Sequence, residues 1–367
     1  MKFKIKCNPD DFIVKEIAPL PLSDKGEYGV YLLHKKVWNT VELLYQLSKE
    51  LNIPFKHFSF GGKKDKYATT TQYITIRSPK IFTCKKNKYS LEFCGFTDIP
   101  MSPDVIQGNK FEITVRDIIE TDIEKALKEI ENIKSKGYPN YFDDQRFGSF
   151  NKEYGFIALD ILKRHYSNAL KNYLISLSEF KKKDFYNNHW NDWNLCLKRS
   201  STNIEKKIFG YLIKNPKYFL SILKQIPKEG LSNHFSSYNA FIWNEVLRQI
   251  IIIKSSKELA NYKGAIGNYV FYKELDERDF KYLELLDIPT LPYKSMGGDI
   301  FIDEIYNKIM ENHEIKYSMF NKMKLRQVKL IGKRSGQKNK NLPPGITAAG
   351  LRFTGGAFLF QTRVWVQ

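Results

Sequence analysis

The pattern of this 367-residue chain changes twice along its length, and that change limits the architectures open to it. Residues 3–33 hold apolar stretches rich in Phe, Ile, Val, Tyr and Leu, broken by Pro9, Pro19, Pro21 and Gly26, which reads as strands and loops. Asn39-Thr40-Val41-Glu42 then opens a helix. Asn39 can cap it, Glu42 stands where a reciprocal bond can form, Leu43, Leu44, Leu47 and Leu51 share one face, and Pro54 stops it. Gln72–Arg77 reads as a strand, as does the run in which Phe111, Ile113 and Val115 alternate with Glu112, Thr114 and Arg116. A second helix follows, with Thr121 and Glu124 as a capping box, Ile123, Leu127, Ile130 and Ile133 as its buried stripe, and Gly137 with Pro139 at its end. From about 155 to 325 the text is mostly helical and aromatic, with few strand signals; Ala240–Ile253 and Asp303–Glu311 are helices within it. Strand-like text resumes near Val328, continues past a basic loop at Lys333–Lys340, and closes with strands around Leu351, Phe353, Val364 and Val366. The order α+β, then mostly α, then β predicts a discontinuous first domain with a helical domain inserted in it.

Charge narrows the partners. Lys plus Arg number 59 against 40 acidic residues, a net charge of +19. That excess repels itself unless a polyanion offsets it, so nucleic acid is the first candidate and an anionic membrane surface the second. The apolar run around Ile250–Ile253 is far too short to span a bilayer, and Met1–Lys6 alternates charged and apolar residues without the apolar core of a signal peptide. No membrane association and a cytoplasmic location are therefore expected. Cys7, Cys84, Cys94 and Cys196 lack C-x-x-C spacing and the six histidines form no ligand pair, so no metal is expected.

Five segments carry residues suited to chemistry. In Phe60–Thr71 two glycines precede Asp65, which lies among Lys63, Lys64 and Lys66. Neighbouring cations favour an ionised carboxylate, and a charged carboxylate on a cationic rim suits a nucleophile acting on a nucleotide. A solvated hairpin loop is the plainer account, and the spacing of a phosphate-binding loop is lacking. In Gly108-Asn109-Lys110-Phe111, Asn109 can meet a base edge or ribose and Phe111 offers a stacking face, although a β-turn with a core Phe explains the segment better when taken alone. Gly137–Gly148 is dense in aromatics and amides, as packing at a domain junction also requires. In Arg352–Thr362, glycines beside Phe358 would let an aromatic lie flat under a base, or mark a buried strand end. In Cys7–Glu16, Phe12 can pack on a substrate or in the core, and the preceding Lys6 can pair with a carboxylate.

Taken in order, these segments resemble the TruD family of pseudouridine synthases. The resemblance lies in Asn8–Phe12 (N-P-x-D-F), Gly62–Gln72 (G-x-K-D-[KR]-x-A-x-T-x-Q, complete), Gly108–Phe111 (G-N-x-F), Gly137–Gly148 (G-x-P-N-Y-F-x-x-Q-R-F-G, complete) and Gly356–Phe358. One departure stands before the last Phe, where Thr354-Gly355-Gly356 replaces P-x-G. The resemblance implies an α+β pseudouridine synthase catalytic domain with a mixed, largely antiparallel sheet, residues 1–136 and 329–367, and an inserted, mostly helical TruD-specific domain, residues 137–328. It also implies isomerisation of a uridine in tRNA, position 13 being usual, by a monomer without cofactor. Asp65 takes the catalytic role, Phe12, Phe111 and Phe358 surround the base, Asn109 meets its polar edge or the ribose, and Lys6 partners Asp65. The rival is an RNA-binding or RNA-folding protein without chemistry, which has no need of the complete Gly62–Gln72 pattern. A methyltransferase would need a Gly-rich strand-to-helix turn, which the chain does not show.

Overall fold

The structure, a computed structural model, describes residues 3–78, 80–178, 181–255, 258–286, 288–291, 299–323, 325, 352–354 and 357–365, the last two stretches by backbone alone. The expectations placed on Val328, Lys333–Lys340, Leu351, Gly355–Gly356 and Val366 lie outside the described residues. The chain divides into two compact units, Met1–Tyr138 with Asn341–Gln367, and Pro139–Lys340.

In chain order the named elements are β1 (Phe12–Ile17), β2 (Tyr28–Lys36), α1 (Thr40–Glu50), β3 (Phe58–Phe60), β4 (Thr69–Ile76), β5 (Cys84–Lys85), β6 (Tyr89–Thr97), β7 (Gly108–Arg116), α2 (Glu120–Lys136), β8 (Leu259–Lys263), β9 (Asn268–Tyr272), β10 (Arg352–Thr354) and β11 (Ala357–Trp365). The first unit holds a nine-stranded sheet in the order β10-β11-β7-β1-β4-β2-β6-β5, with β3 also beside β4. β1 and β4 run parallel and every other pairing is antiparallel, so the sheet is mixed and largely antiparallel.

One feature of this sheet builds the site. β1 pairs with Thr69–Thr71 of β4, and β3 pairs with Ile74–Ile76 along the same strand. Where β1 leaves off, the Glu16 carboxylate accepts from Tyr73 N at 3.0 Å and so takes over one ladder bond. The chain between β3 and β4, residues 61–68, must turn beside that junction.

α1 packs over the face bearing Tyr31, Leu33, Ile74, Ile76 and Leu91. Asn39 Oδ1 accepts from Val41 N at 2.9 Å and from Glu42 N at 3.4 Å, satisfying amides that the helix itself cannot. Leu43, Leu44 and Leu47 are fully buried, which contributes at most about 5–9 kcal/mol in water-exclusion terms. Glu42 does not close a reciprocal box; its carboxylate lies 3.9 Å from Lys66 Nζ. Leu51 is the half-buried end of the helix rather than part of the stripe, because Asn52, at φ 52°, turns the chain away before Pro54.

α2 departs further from expectation. Ile123 N and Asp122 N close on Ile119 O, so the cap is Ile119 and Thr121 lies inside the first turn. Its apolar stripe, Ile123, Leu127, Ile130 and Ile133, is half-buried. Gly137, at φ 65°, ends the helix as a residue without Cβ can.

The second unit is mostly helical around Phe209, Tyr238 and Trp243. Its long helix begins at Lys228 rather than Ala240, because Ser232, Asn233, Ser236 and Ser237 interrupt a buried spacing that Leu231, Phe235 and Tyr238 maintain. The helix at Ile300–Asn312 starts ahead of Asp303, capped by Asp299 Oδ1 on Phe301 N at 3.0 Å. The hairpin of β8 and β9 was not legible as strand text; Gly264 and Gly267 frame its turn. Within Gly137–Gly148, Tyr141 donates to Val270 O at 2.9 Å, Phe142 exchanges two 2.9 Å bonds with Asn244, and Asp144 accepts from Tyr269 OH at 2.7 Å. These side chains tie the segment into its own unit, as a packing role requires.

Candidate active site

The N-terminal segment is fixed at two points. Lys4 forms a two-bond backbone bridge with Arg116 at the end of β7, N to O 2.9 Å and back 2.8 Å. Pro9–Asp11 forms a single 3-10 turn, in which Asp11 reaches back to Asn8 N at 2.9 Å. Asp11 also accepts two bonds from the Arg116 guanidinium, at 2.9 and 2.7 Å. The guanidinium holds this buried carboxyl below its ordinary range. Between the two anchors Lys6 adopts φ 56°, a conformation that costs a side-chain-bearing residue energy and is kept where its surroundings demand it.

The Lys6 ammonium lies 2.7 Å from Asp65 Oδ2 and 3.8 Å from the centre of the Phe12 ring. Phe12 in turn meets Phe111 edge to face, with ring centres 5.9 Å apart. Asp65, Lys6, Phe12 and Phe111 are thus a continuous chain of contacts: carboxylate, cation, ring, ring. The Asp65 side chain is 45% exposed and that of Lys6 34%, so the pair is reachable from solvent while one flank is aromatic.

The loop that presents Asp65 is held through its backbone and through the side chains of Lys64 and Tyr67. Gly61 passes so close to Ile106 that a Cβ there would stand 2.5 Å from its Cδ1, which excludes any other residue without movement. Gly62 O accepts from Gln72 Nε2 at 3.1 Å, Gln72 Oε1 accepts from Thr40 Oγ1 at 3.2 Å, and Thr40 Oγ1 accepts from Lys64 N at 3.0 Å. The Lys64 ammonium turns inward to Glu16 Oε2 at 2.5 Å, with side chains 8% and 0% exposed. That contact lies off hydrogen-bond geometry and is Coulombic. Lys35, from β2, donates to Asp65 O at 2.8 Å, Trp38 O at 2.9 Å and Lys64 O at 3.4 Å. Tyr67 OH donates to Cys7 O at 3.2 Å, and Thr69 Oγ1 to Asp10 Oδ1 at 2.7 Å. Of the fixed positions in Gly62–Gln72, Gly62, Lys64 and Gln72 thus hold the loop around one outward carboxylate.

Asn109 lies opposite Glu16 on β1, and its Oδ1 is buried without a hydrogen-bond partner. Leaving an acceptor in that state costs about 1–3 kcal/mol. Phe358 is placed by backbone register opposite Val115. That register puts it on the same sheet face as Phe111 and Asn109, since residues directly opposite share a face. The same parity brings in Phe12, which pairs with Ile113. Gln72 belongs to the quoted pattern, whereas the roles of Lys35, Glu16 and Thr40 emerge only in the structure. For Lys35 a signal existed: it follows Tyr31 and Leu33 at period two, a cation in the apolar register of a strand. Among the described residues no group of three or more His, Cys, Asp or Glu is placed to hold a metal ion.

The family model for tRNA pseudouridine synthase D (TruD) matches residues 1–281. The chain belongs to the TruD family. A relative from Methanococcus maripaludis, named "Probable tRNA pseudouridine synthase D 1", is 32% identical over 90% of this chain and 86% of its own. One from Aquifex aeolicus, named tRNA pseudouridine synthase D, is 30% identical over 79% of this chain and 77% of its own. A solved chain from Methanosarcina mazei, named "Putative tRNA pseudouridine synthase D (TruD)", superposes with a TM-score of 0.67 at 21% identity, covering 99% of this chain and 90% of that one, a likeness of fold. Among the described residues no helix is long and apolar enough to cross a membrane.

Proposed function

We propose that this chain, a cytoplasmic monomer, isomerises the uridine at position 13 of tRNA to pseudouridine, with Asp65 as its catalytic carboxylate. Isomerisation of uridine in tRNA is the activity for which the TruD family and the relatives above are named. The observation that carries the assignment to Asp65 is its position: the one acid of the loop 61–68, reachable from solvent and paired with Lys6 beside the Phe12–Phe111 rings.

A stacked base is out of reach of any side chain, so the uridine must be everted into the site. Phe12 and Phe111 offer ring surface for it, with Phe358 on the same sheet face by register, and the free Asn109 acceptor suits the uracil N3–H or a ribose hydroxyl. Lys6 holds the Asp65 carboxylate in one direction. Asp65 then attacks the nucleotide or assists glycal formation, the N1–C1′ bond breaks, the uracil turns, and C5 bonds to C1′. C5 gives up a proton and N1 gains one, so atoms balance without redox change or cofactor. The first unit is the catalytic domain and the second the family's insertion; the excess of lysine and arginine serves the phosphates.

The test is single-turnover pseudouridine formation on tRNA, mapped by position. Wild type should modify position 13, whereas Asp65→Asn should form no product with tRNA affinity held within a few-fold. Product from Asp65→Asn would remove it as the nucleophile. Binding without product by wild type would make the chain an RNA-binding protein instead.

A further inference from the structure

Lys35 is 2% exposed and sits on β2 across from Thr70 of β4 and Tyr89 of β6. Its ammonium has three N–H donors and meets three carbonyl oxygens, those of Trp38, Lys64 and Asp65. No carboxylate touches it directly among the contacts of that ammonium. Burying a cation against neutral carbonyls is expensive, and an apolar residue of similar volume would hold the same sheet position at lower cost. What an apolar residue cannot do is grip the main chain of the loop at the residue that presents the carboxylate.

We propose that Lys35 is a positioning residue for the isomerisation: its buried ammonium latches the backbone at Lys64 and Asp65, and the latch opens when that ammonium loses its proton. The proposal rests on the reading of Asp65 given above. A neutral amine has two N–H donors and a lone pair, so one of the three carbonyls is left facing a lone pair. Release of the Asp65 carbonyl lets the loop drift relative to Lys6 and Phe12, and an error of this kind can cost on the order of 100-fold in rate.

Titration comes within reach of ordinary assays. Burial is the main cause that pushes the Lys35 amine down to about 8; the Asp65 charge raises it and the Lys64 charge lowers it further. Across from it lie Thr70 on β4, which does not titrate, and Tyr89 on β6, whose hydroxyl donates to Glu50 of α1. Burial, with the Tyr89–Glu50 hydrogen bond, pushes the Tyr89 phenol up to about 12, and hydrogen bonds from Gln46 and Tyr89 hold Glu50 below its ordinary range. Neither changes charge near pH 8. The effect on folding has the opposite sign to that on rate. With an ordinary value of 10.5 in the unfolded chain and about 8 in the fold, the unfolded state binds the proton more tightly between these limits. Raising the pH through that window therefore adds stability from this group.

The experiment compares wild type, Lys35→Met and Lys6→Arg in single-turnover assays from pH 6.5 to 9.5, with tRNA affinity, thermal unfolding and amide exchange of peptides spanning residues 61–68 at each pH. Wild type should lose kcat above pH about 8, approaching tenfold per unit, while thermal stability holds or rises and residues 61–68 lose protection beyond the intrinsic pH effect. Lys6→Arg, whose guanidinium stays charged, should keep the limb. Lys35→Met should show low kcat at every pH, a KM within a few-fold, and no limb. A flat wild-type profile, a limb that persists in Lys35→Met, or equal loop exchange at pH 7 and 9.5 overturns the proposal. If Lys35→Met does not fold, the wild-type profile and loop exchange decide alone. If wild type makes no pseudouridine, the activity reading fails and loop exchange still decides the latch.

Discussion

The Lys64–Glu16 contact offers a sharp test of how the loop is held. At 2.5 Å and an effective dielectric of about 20, the gross attraction is roughly 7 kcal/mol. Desolvating both ions takes back several kcal/mol, so the pair itself adds little net stability. Removing one partner is different, because the other charge stays buried; that loss is about 3–5 kcal/mol. Glu16→Gln is the cleanest perturbation. It deletes the charge and keeps a carbonyl oxygen to accept from Tyr73 N, so the β1–β4 junction stays bonded. Against a typical total of about 5–15 kcal/mol, the first unit should be visibly weakened. Because two compact units do not guarantee a single transition, urea unfolding should be followed by amide exchange on β1 and β4 peptides. The paired variant Glu16→Gln with Lys64→Met should recover at least about 2 kcal/mol relative to additivity, since no charge is then stranded. A Glu16→Gln loss below about 1 kcal/mol, or strictly additive effects, would refute the claim that Lys64 is anchored by charge.

Two further outcomes follow from the same geometry. The folded-state depression of Asp11 by Arg116 means its contribution to stability is present above the ordinary carboxylate value of 3.8 and is lost as pH falls through the lower folded value. The stability gap between wild type and Asp11→Asn should hold from neutral pH to about 4 and close below it, as acid unfolding curves would show. The net charge of +19 predicts that tRNA affinity falls linearly with the logarithm of salt concentration as counterions are released, checked by titrations at several salt levels; a flat response would count against phosphate contacts.

Much of the fold was legible because its signals are local. Asn39 as a cap, the leucine spacing of α1 and Gly137 as a terminator each depend on neighbours within a turn or two, and the structure keeps them. The start of α2 was misplaced by two residues because Ile119 O, not a polar side chain, closes its first turn. The hairpin of β8 and β9 carries no clear sequence signal, since five-residue strands in helical surroundings have no distinctive periodicity. At the site, Asp65 and Gln72 stand in one pattern, while Lys35 and Glu16 read as ordinary strand residues.

A linear reading could establish which residues carry charge, rings and turns, and that a helical segment interrupts a β-containing one. Residue pattern alone could not establish that Lys6 meets Asp65, since 59 residues separate them; only the family resemblance implied that pair. Nor could it show that three backbone carbonyls converge on a lysine hidden beneath the loop. The first arises when parallel pairing of β1 with β4 sets the N-terminal segment beside the loop, and the second when antiparallel pairing of β2 with β4 carries Lys35 to it. Electrostatic partners act over a few ångströms of space, and sequence separation does not encode that distance until the sheet has formed.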